Sequence, residues 1–562
     1  MKLLDQRTKG LMEDCKKRAK DNGLKFDDTT LEYIVSNHEL NVLEPKIGIP
    51  TQYDYWVDDV GIIKKKKMYS VLPGNANELA LNTRPAVSLY NVDNPDWMNV
   101  MIFYHVLGHF DFFQNNQAFS HTWGYDFMQK ALAGKRVMRN LRKEHGRWAD
   151  YAIEWSRNID NLVRLGDNTP EEEITGLSAR ARYYFDVFLP EVVEAPVSKL
   201  AEELDRYSKI TSEEDGRSEA ELDDSFFGTI EDKHPEFPEM FKTHLEVSER
   251  PAEDLMRFIE KNSDKLKREE NAWMKKVMKV VRDTSLYFKP QGQTKIMNEG
   301  WASFWHERLF MEDPISRGNE AKYAAFNAKV VSHRIGQPNP YAIGKTLLEH
   351  IMANADKGRT GLEYQMLKDL EARRSFDDGS GQGLDFIREV MKLYDDRRFI
   401  REFLDQDYMD KEKLWVIGQK YNPEKNVIEY YRKSRNAEDF RDMLKNYMYH
   451  RPEIKYDVED LSWEFGSDCA KTLMLDHVFE GKPLKQEYIY RTLLGIECLW
   501  GAPVVLETTV PDNETSQKKY IEHMMDGGDP NDFVPDFKRY VYGIRDRELY
   551  EADIDEKDEI FE

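Results

Sequence analysis

The chain has 562 residues, 40% hydrophobic and 12% aromatic, enough apolar material for a large core and, by length, two to four domains. Charged residues make up 33% and the formal net charge is -23, which argues against a duplex-DNA binder, because phosphate binding needs a concentrated basic surface. Three widely separated cysteines, Cys15, Cys469 and Cys498, form no CxxC pair; they exclude a disulfide framework and a cysteine-rich zinc site and fit a reducing compartment.

The N-terminus, Met1 to Arg7, turns polar at once, and no run of about 18 uncharged apolar residues follows anywhere. A soluble, cytoplasmic protein without a membrane span is the expectation. Residues 1–40 read as helical, with Leu3, Leu11 and Leu31 set among charges. Pro45, Gly48 and Pro50 punctuate a loop, and Lys64-Lys65-Lys66-Lys67 reads as a solvated turn or strand edge. Short strands are expected at Lys67–Leu72, Leu79–Asn82 and Ala86–Tyr90, with a turn at Pro73-Gly74-Asn75. A helix beginning near Asp93–Pro95 carries Met98 to His109, and another runs from about Phe127 to Arg164.

Residues 199–250 crowd acids with few aliphatics and read as an acidic linker or insertion, with a solvated helical face as the alternative. A long helix from Ala252 to about Tyr287 is expected to break at Pro290, and a second runs from Ile296 or Asn298 through Phe310. A further helix covers Lys345 to about Ala353. The last third alternates: strands at Leu414–Ile417, Val427–Tyr431 and Val504–Thr508, a helix at Leu493–Leu499, and an acidic, frayed tail. The domains expected are 1–198, an N-terminal α+β half of the core; 199–250, the acidic segment; 251–405, a helical half; 406–545, a small C-terminal α/β domain; and 546–562, the tail.

Two segments carry chemistry. His105 and His109 are four apart, which on a helix places both imidazoles on one face, close enough to share an ion. The alternative is a pair of histidines hydrogen-bonded inside a core. Asp111 and Asn115-Asn116 follow among Phe103, Phe110, Phe112 and Phe113, and buried polar groups need partners. In the second segment Glu299 and His306 are seven apart, two helical turns, and share a face walled by Trp301, Phe304 and Trp305. Such a carboxylate is metal-bound, or paired with an arginine or with His306. His105, His109 and Glu299 together make a three-ligand set with a position left for water; zinc fits the ligand types best, with iron or manganese as alternatives. The glutamate that follows the first histidine in metallopeptidases is replaced by Val106, so the usual helix-borne base is absent. Asn37-His38-Glu39 and the loop Gln337–Tyr341 are weaker candidates for lining the same site.

The stretches Gly48–Tyr53, His105–Asn116, Tyr287–His306, Asn339–Gly344 and Leu499–Glu507 resemble the stage V sporulation protein R (SpoVR) family. That resemblance implies a link to spore cortex formation or to stress and starvation responses, and partners such as a PrkA-type serine kinase and a von Willebrand-like protein. The acidic segment 199–250 departs from the family pattern. More loosely, Glu299-Gly-Trp-Ala-Ser-Phe-Trp looks like the third-ligand segment of gluzincin metallopeptidases. Carried over, His105, His109 and Glu299 would bind the metal and His306 or Asp111 would stand in as proton carrier. The fold expected is mainly α with small β elements, a helical core carrying this gluzincin-like constellation. The function expected is a metal-dependent hydrolase of an amide in a peptide or peptidoglycan; the alternative is a non-catalytic regulatory protein acting through its partners.

Overall fold

The computed structural model describes residues 2–3, 5–36, 78–123, 127–163, 178–193, 219–248, 254–333, 338–422, 427–445, 452–512, 516–520 and 536–554, with a few isolated positions besides. Asn37-His38-Glu39, the punctuated loop from Pro45, the Lys64–Lys67 run and the strand expected at Lys67–Leu72 lie outside them. Helices dominate and the sheets are small, so the chain is mainly α with minor β. It divides into two units: Met1–Val163 with Phe258–Thr360 and Phe376–Glu562, and Arg164–Arg257 with Gly361–Ser375. Residues 406–545, expected as a C-terminal α/β domain, fall within the first unit.

In the first unit the chain opens with β1 (Lys2–Leu3), a helix over Gln6–Asp21 capped by the Asp5 carboxylate, and β2 (Thr30–Val35). Leu31, expected on a helix, sits in that strand. The run Thr-Leu-Glu-Tyr-Ile-Val is rich in β-branched and aromatic residues, and they outweigh the wider apolar spacing. β3 (Glu78–Leu81) and β4 (Ala86–Asn91) follow where strands were expected; the order is β1-β2-β4-β3, with β2 and β4 parallel.

The centre of the unit is the histidine helix, Asp96–Asn115, in which every residue from Asn99 to Phe113 is buried. A helix apolar all round belongs inside a core rather than on its surface. Against it packs the glutamate helix, Lys295–Glu312, and against that the helix Pro340–Asp356. Their backbones meet through glycine. A Cβ on Gly108 would lie 2.7 Å from Ala302 Cα, and one on Gly344 would lie 2.7 Å from Gly300 Cα. No real side chain tolerates such distances, so these positions fix how closely the helices cross.

The helix expected from Phe127 to Arg164 is two, Phe127–His145 and Arg147–Arg157, because Gly146 turns the chain at φ +56°. The long helix expected over Ala252–Tyr287 is likewise divided. Leu255–Asn262 stops where Ser263 caps Asp264–Lys267, and Trp273–Gln293 follows. Pro290, expected as the break, lies inside the last turn of that helix. Proline there removes the donor for the Leu286 carbonyl, and His121 Nε2 occupies that carbonyl instead, at 3.0 Å. The chain turns four residues later, at Thr294.

Beyond the helices, β5 (Val416–Asn422) and β6 (Val427–Ser434) form a hairpin. A five-stranded sheet, ordered β11-β10-β9-β8-β7, contains β7 (Glu453–Glu459), β8 (Thr472–Val478), β9 (Val504–Pro511), β10 (Phe537–Arg545) and β11 (Glu548–Asp553). β8 and β9 are parallel, joined through the helix Gln486–Trp500. The tail, expected to fray, contributes its edge strand β11. All three cysteines are buried and none is in a disulfide.

In the second unit, helices Glu219–Lys233 and Phe237–Ser248 occupy much of the stretch expected as a linker. Phe226, Phe227, Ile230 and Phe237 pack against Tyr184 and Phe188 in an aromatic core. Acids are accommodated at its edge: the buried Asp223 accepts from Ser178 Oγ at 2.7 Å and from Tyr207 Oη at 2.8 Å. Acidic composition masked an apolar stripe built of a few large rings.

Candidate metal centre

Where the histidine and glutamate helices cross, His105, His109 and Glu299 converge. Glu299 Oε2 lies 3.6 Å from His105 Nε2 and 3.6 Å from His109 Nε2. That is too long for a hydrogen bond. It is close to the roughly 3.4 Å separating ligand atoms around a tetrahedral ion with bonds of about 2.0–2.2 Å. Glu299 Oε2 is buried and has no hydrogen-bond partner among the described residues. Burial pushes the Glu299 carboxyl up, but the two imidazoles and the Tyr341 hydroxyl outweigh it and hold the group below its ordinary range.

The tautomers follow from the surroundings. Glu307 Oε2 is anchored by Lys345 Nζ at 3.2 Å and can only accept, so the group donating to it at 3.0 Å is Asn327 Nδ2. Asn327 Oδ1 is thereby turned toward His306 Nε2, 3.1 Å away, which donates. Neutral His306 then accepts at Nδ1 from His105 Nδ1, 2.9 Å away. On the other side His109 Nδ1 donates to Asn298 Oδ1 at 2.9 Å. Both imidazoles therefore carry their proton on Nδ1 and turn the Nε2 lone pair toward Glu299, the state a metal ligand requires. Burial, reinforced by His105, lowers the pKa of His109 to about 4, and His306 is also held well below the ordinary histidine range, first by burial. Both stay neutral at neutral pH.

The supporting elements are fixed just as tightly. Ile296 and Met297, in the first turn of the glutamate helix, donate their backbone N–H groups to the two oxygens of buried Asp396, each at 2.8 Å. This carboxylate cap sets the start of the helix one turn before Glu299. Asn339 Oδ1 caps Tyr341 N at 3.1 Å and Pro340 opens the next helix, which brings the Tyr341 ring into a stack over His105 with centroids 6.1 Å apart.

His105 and Glu299 of the cluster line a cavity of about 550 Å³, together with Lys295, His306, Lys329 and Tyr341. Pro338–Tyr341, the described part of the loop Gln337–Tyr341 that the sequence offers as a weaker candidate for lining the site, is on that lining. His306 stands behind His105 with both ring nitrogens engaged. Asp111 is not brought to the cluster: its oxygens accept from Trp301 Nε1 at 2.8 Å and from Lys25 N at 2.6 Å, and it pins the Trp301 ring instead. Tyr341 belongs to the loop that the sequence marks as a candidate lining, and Asn298 to the segment that carries Glu299; Asn327 has no such signal, because nothing periodic distinguishes a helical asparagine.

Among the described residues no helix is long and apolar enough to cross a membrane. No solved structure matches the chain. A similar protein is the "Uncharacterized protein YcgB" of Escherichia coli (strain K12), 22% identical over 500 residues, covering 84% of this chain and 86% of that protein. Residues 5–451, including both segments that build the cluster, match the model of the family described as SpoVR like protein, and the chain belongs to the SpoVR family.

Proposed function

We propose that this protein is a metal-dependent hydrolase in which His105, His109 and Glu299 hold a single divalent ion, zinc by ligand type with iron and manganese as alternatives. One observation carries the reading: a buried carboxylate oxygen at ligand-edge distance from two Nε2 atoms whose tautomers are set by hydrogen bonds behind them. Two histidines and a glutamate are also the donor types that the gluzincin resemblance of Glu299-Gly-Trp-Ala implies. A bound ion would supply Lewis-acid chemistry, polarising a carbonyl and acidifying water. The reaction adds water across an amide, giving a carboxylate and an amine, in a peptide or peptidoglycan fragment of the kind the family's sporulation and starvation setting implies. Asn298, His306 and Asn327 hold the ligand imidazoles in register. Tyr341, on the cavity wall, gives its hydroxyl proton to Glu299 and is a positioning residue for that carboxylate. His306 is a positioning residue rather than a proton carrier, since its nitrogens are committed to His105 and Asn327.

Val106 favours a second reading. With no base beside His105, and no carboxylate except Glu299 on the described cavity wall, the centre would be structural. The protein would then act through partners, of which the resemblance implies a PrkA-type serine kinase and a von Willebrand-like protein. The experiment is metal analysis and zinc titration of the chelator-dialysed protein, followed by amide-hydrolysis assays on peptides and muropeptides. One zinc equivalent lost in Glu299→Gln, with hydrolysis lost alongside, supports the hydrolase. One equivalent without hydrolysis supports the structural reading, and no metal uptake ends the hydrolase and leaves the cluster as a polar network in a non-catalytic protein.

A further inference from the structure

Apart from Glu299, the charged side chains on the described wall of the cavity are Lys295 and Lys329. Lys295 opens the glutamate helix one turn before Glu299, so the two share a face. Lys329 lies two residues after Asn327 on the helix Glu320–Val330. The chain carries 104 acidic against 81 basic residues, so a lysine has many carboxylates available to it. Lys345, close by, is paired with both Glu307 and Glu349. Lys295 and Lys329, by contrast, make no ion pair within 4 Å among the described residues, although Lys295 acts at longer range on Asp396. Two ammonium groups on the wall that carries Glu299 suit recognition of a second, anionic group on the substrate. They also place positive charge on this wall in a chain whose net charge is -23.

We infer that the substrate of this centre carries an anionic group, a carboxylate or a phosphate, held by Lys295 and Lys329 while the reacting carbonyl faces His105, His109 and Glu299. The inference rests on the metal-centre reading above. An amide bearing a free carboxylate a few bonds away, as in acidic or C-terminal peptide units, has this chemistry.

Hydroxamates, which chelate a metal at an open position, test it on the zinc-loaded full chain. Acetohydroxamate is compared with a series of ω-carboxyalkyl hydroxamates, their neutral methyl esters, and the matching ω-phosphonoalkyl hydroxamates. The acid is expected to bind about five- to tenfold tighter than its own ester at low salt, the gap narrowing as salt rises. In Lys295→Met/Lys329→Met the gap closes while acetohydroxamate binds as before. Tighter binding of the phosphonate than of the carboxylate identifies a phosphate-bearing substrate, and the reverse a carboxylate. Equal affinity of acid and ester in the native protein overturns the inference and leaves the metal centre standing. Failure of every hydroxamate, acetohydroxamate included, removes the metal-centre reading and the inference with it. Because the acid–ester comparison is made on the native chain, it does not depend on the variants folding.

Discussion

At the scale of single residues, the centre depends on side chains that never touch the proposed ion. Asn327 decides the tautomer of His306, and His306 decides that of His105. Asn327→Ala should therefore weaken zinc binding by about ten- to a hundredfold, in the range found for partners behind a ligand, with little change in folding. Competition against a chromophoric chelator reads this directly, and an unchanged affinity would count against the tautomer chain. Acid acts on the same groups. The pKa of His109 is about 4 in the folded protein against an ordinary 6.5, so the unfolded chain takes up the proton first. The contribution of His109 to stability is intact above pH 6.5 and is lost as pH falls toward 4, by up to roughly 3 kcal/mol. In chelator, the urea midpoint should fall over that window, and His109→Gln should fall less; parallel curves would refute the assignment. Of these residues the sequence revealed the ones with a rhythm. A four-residue spacing places two histidines on one face, and the motif around Glu299 points to the carboxylate that joins them. The asparagines are silent, because whether Asn298 or Asn327 supports an imidazole depends on a crossing that no local pattern encodes.

At the scale of elements, that crossing is set by small residues. Gly300 meets the backbone of Gly344 and Lys345, and an added methyl has no soft neighbour to push aside. Gly300→Ala should cost about 1–3 kcal/mol by overpacking, and should loosen zinc as well, because the helix that shifts is the one that carries Glu299. The contrast is Gly228, in the helix Glu219–Lys233, where a methyl would meet nothing within 4 Å. There the same substitution should stabilise by about 0.5–1 kcal/mol through helix propensity alone. Paired thermal melts and zinc titrations check both signs; a neutral or stabilising Gly300→Ala would mean that the helices have room to spare. Elements with strong local chemistry were legible. The strands at 78–81 and 86–91 sit between turn signals, and the helices at 96–115 and 295–312 begin close to where they were expected. Those decided by distant partners were not. Pro290 continues its helix because His121, far away in sequence, occupies the orphaned carbonyl.

At the scale of the whole molecule, the acidic segment shows how composition misleads. Acids between 219 and 248 outnumber the apolar residues that matter, yet a handful of stacked rings gives that stretch its core. The ligand cluster belongs entirely to the first unit, and its two helices come from parts of the chain almost two hundred residues apart. A metal bound there ties together segments that the unfolded chain does not hold near each other, and a ligand that binds only the folded state stabilises by mass action. Zinc at a hundredfold excess over its dissociation constant should therefore add about 2.7 kcal/mol to unfolding of the chelator-treated protein. Calorimetry should show the transition of the ligand-bearing unit moving up with zinc concentration. In Glu299→Gln the same titration should leave the melting temperature unmoved, because the third ligand is gone. A zinc-induced rise of equal size in that variant would place the binding elsewhere, at exposed carboxylates that a chain with 104 acids has in abundance, and would detach the histidine pair from any metal chemistry.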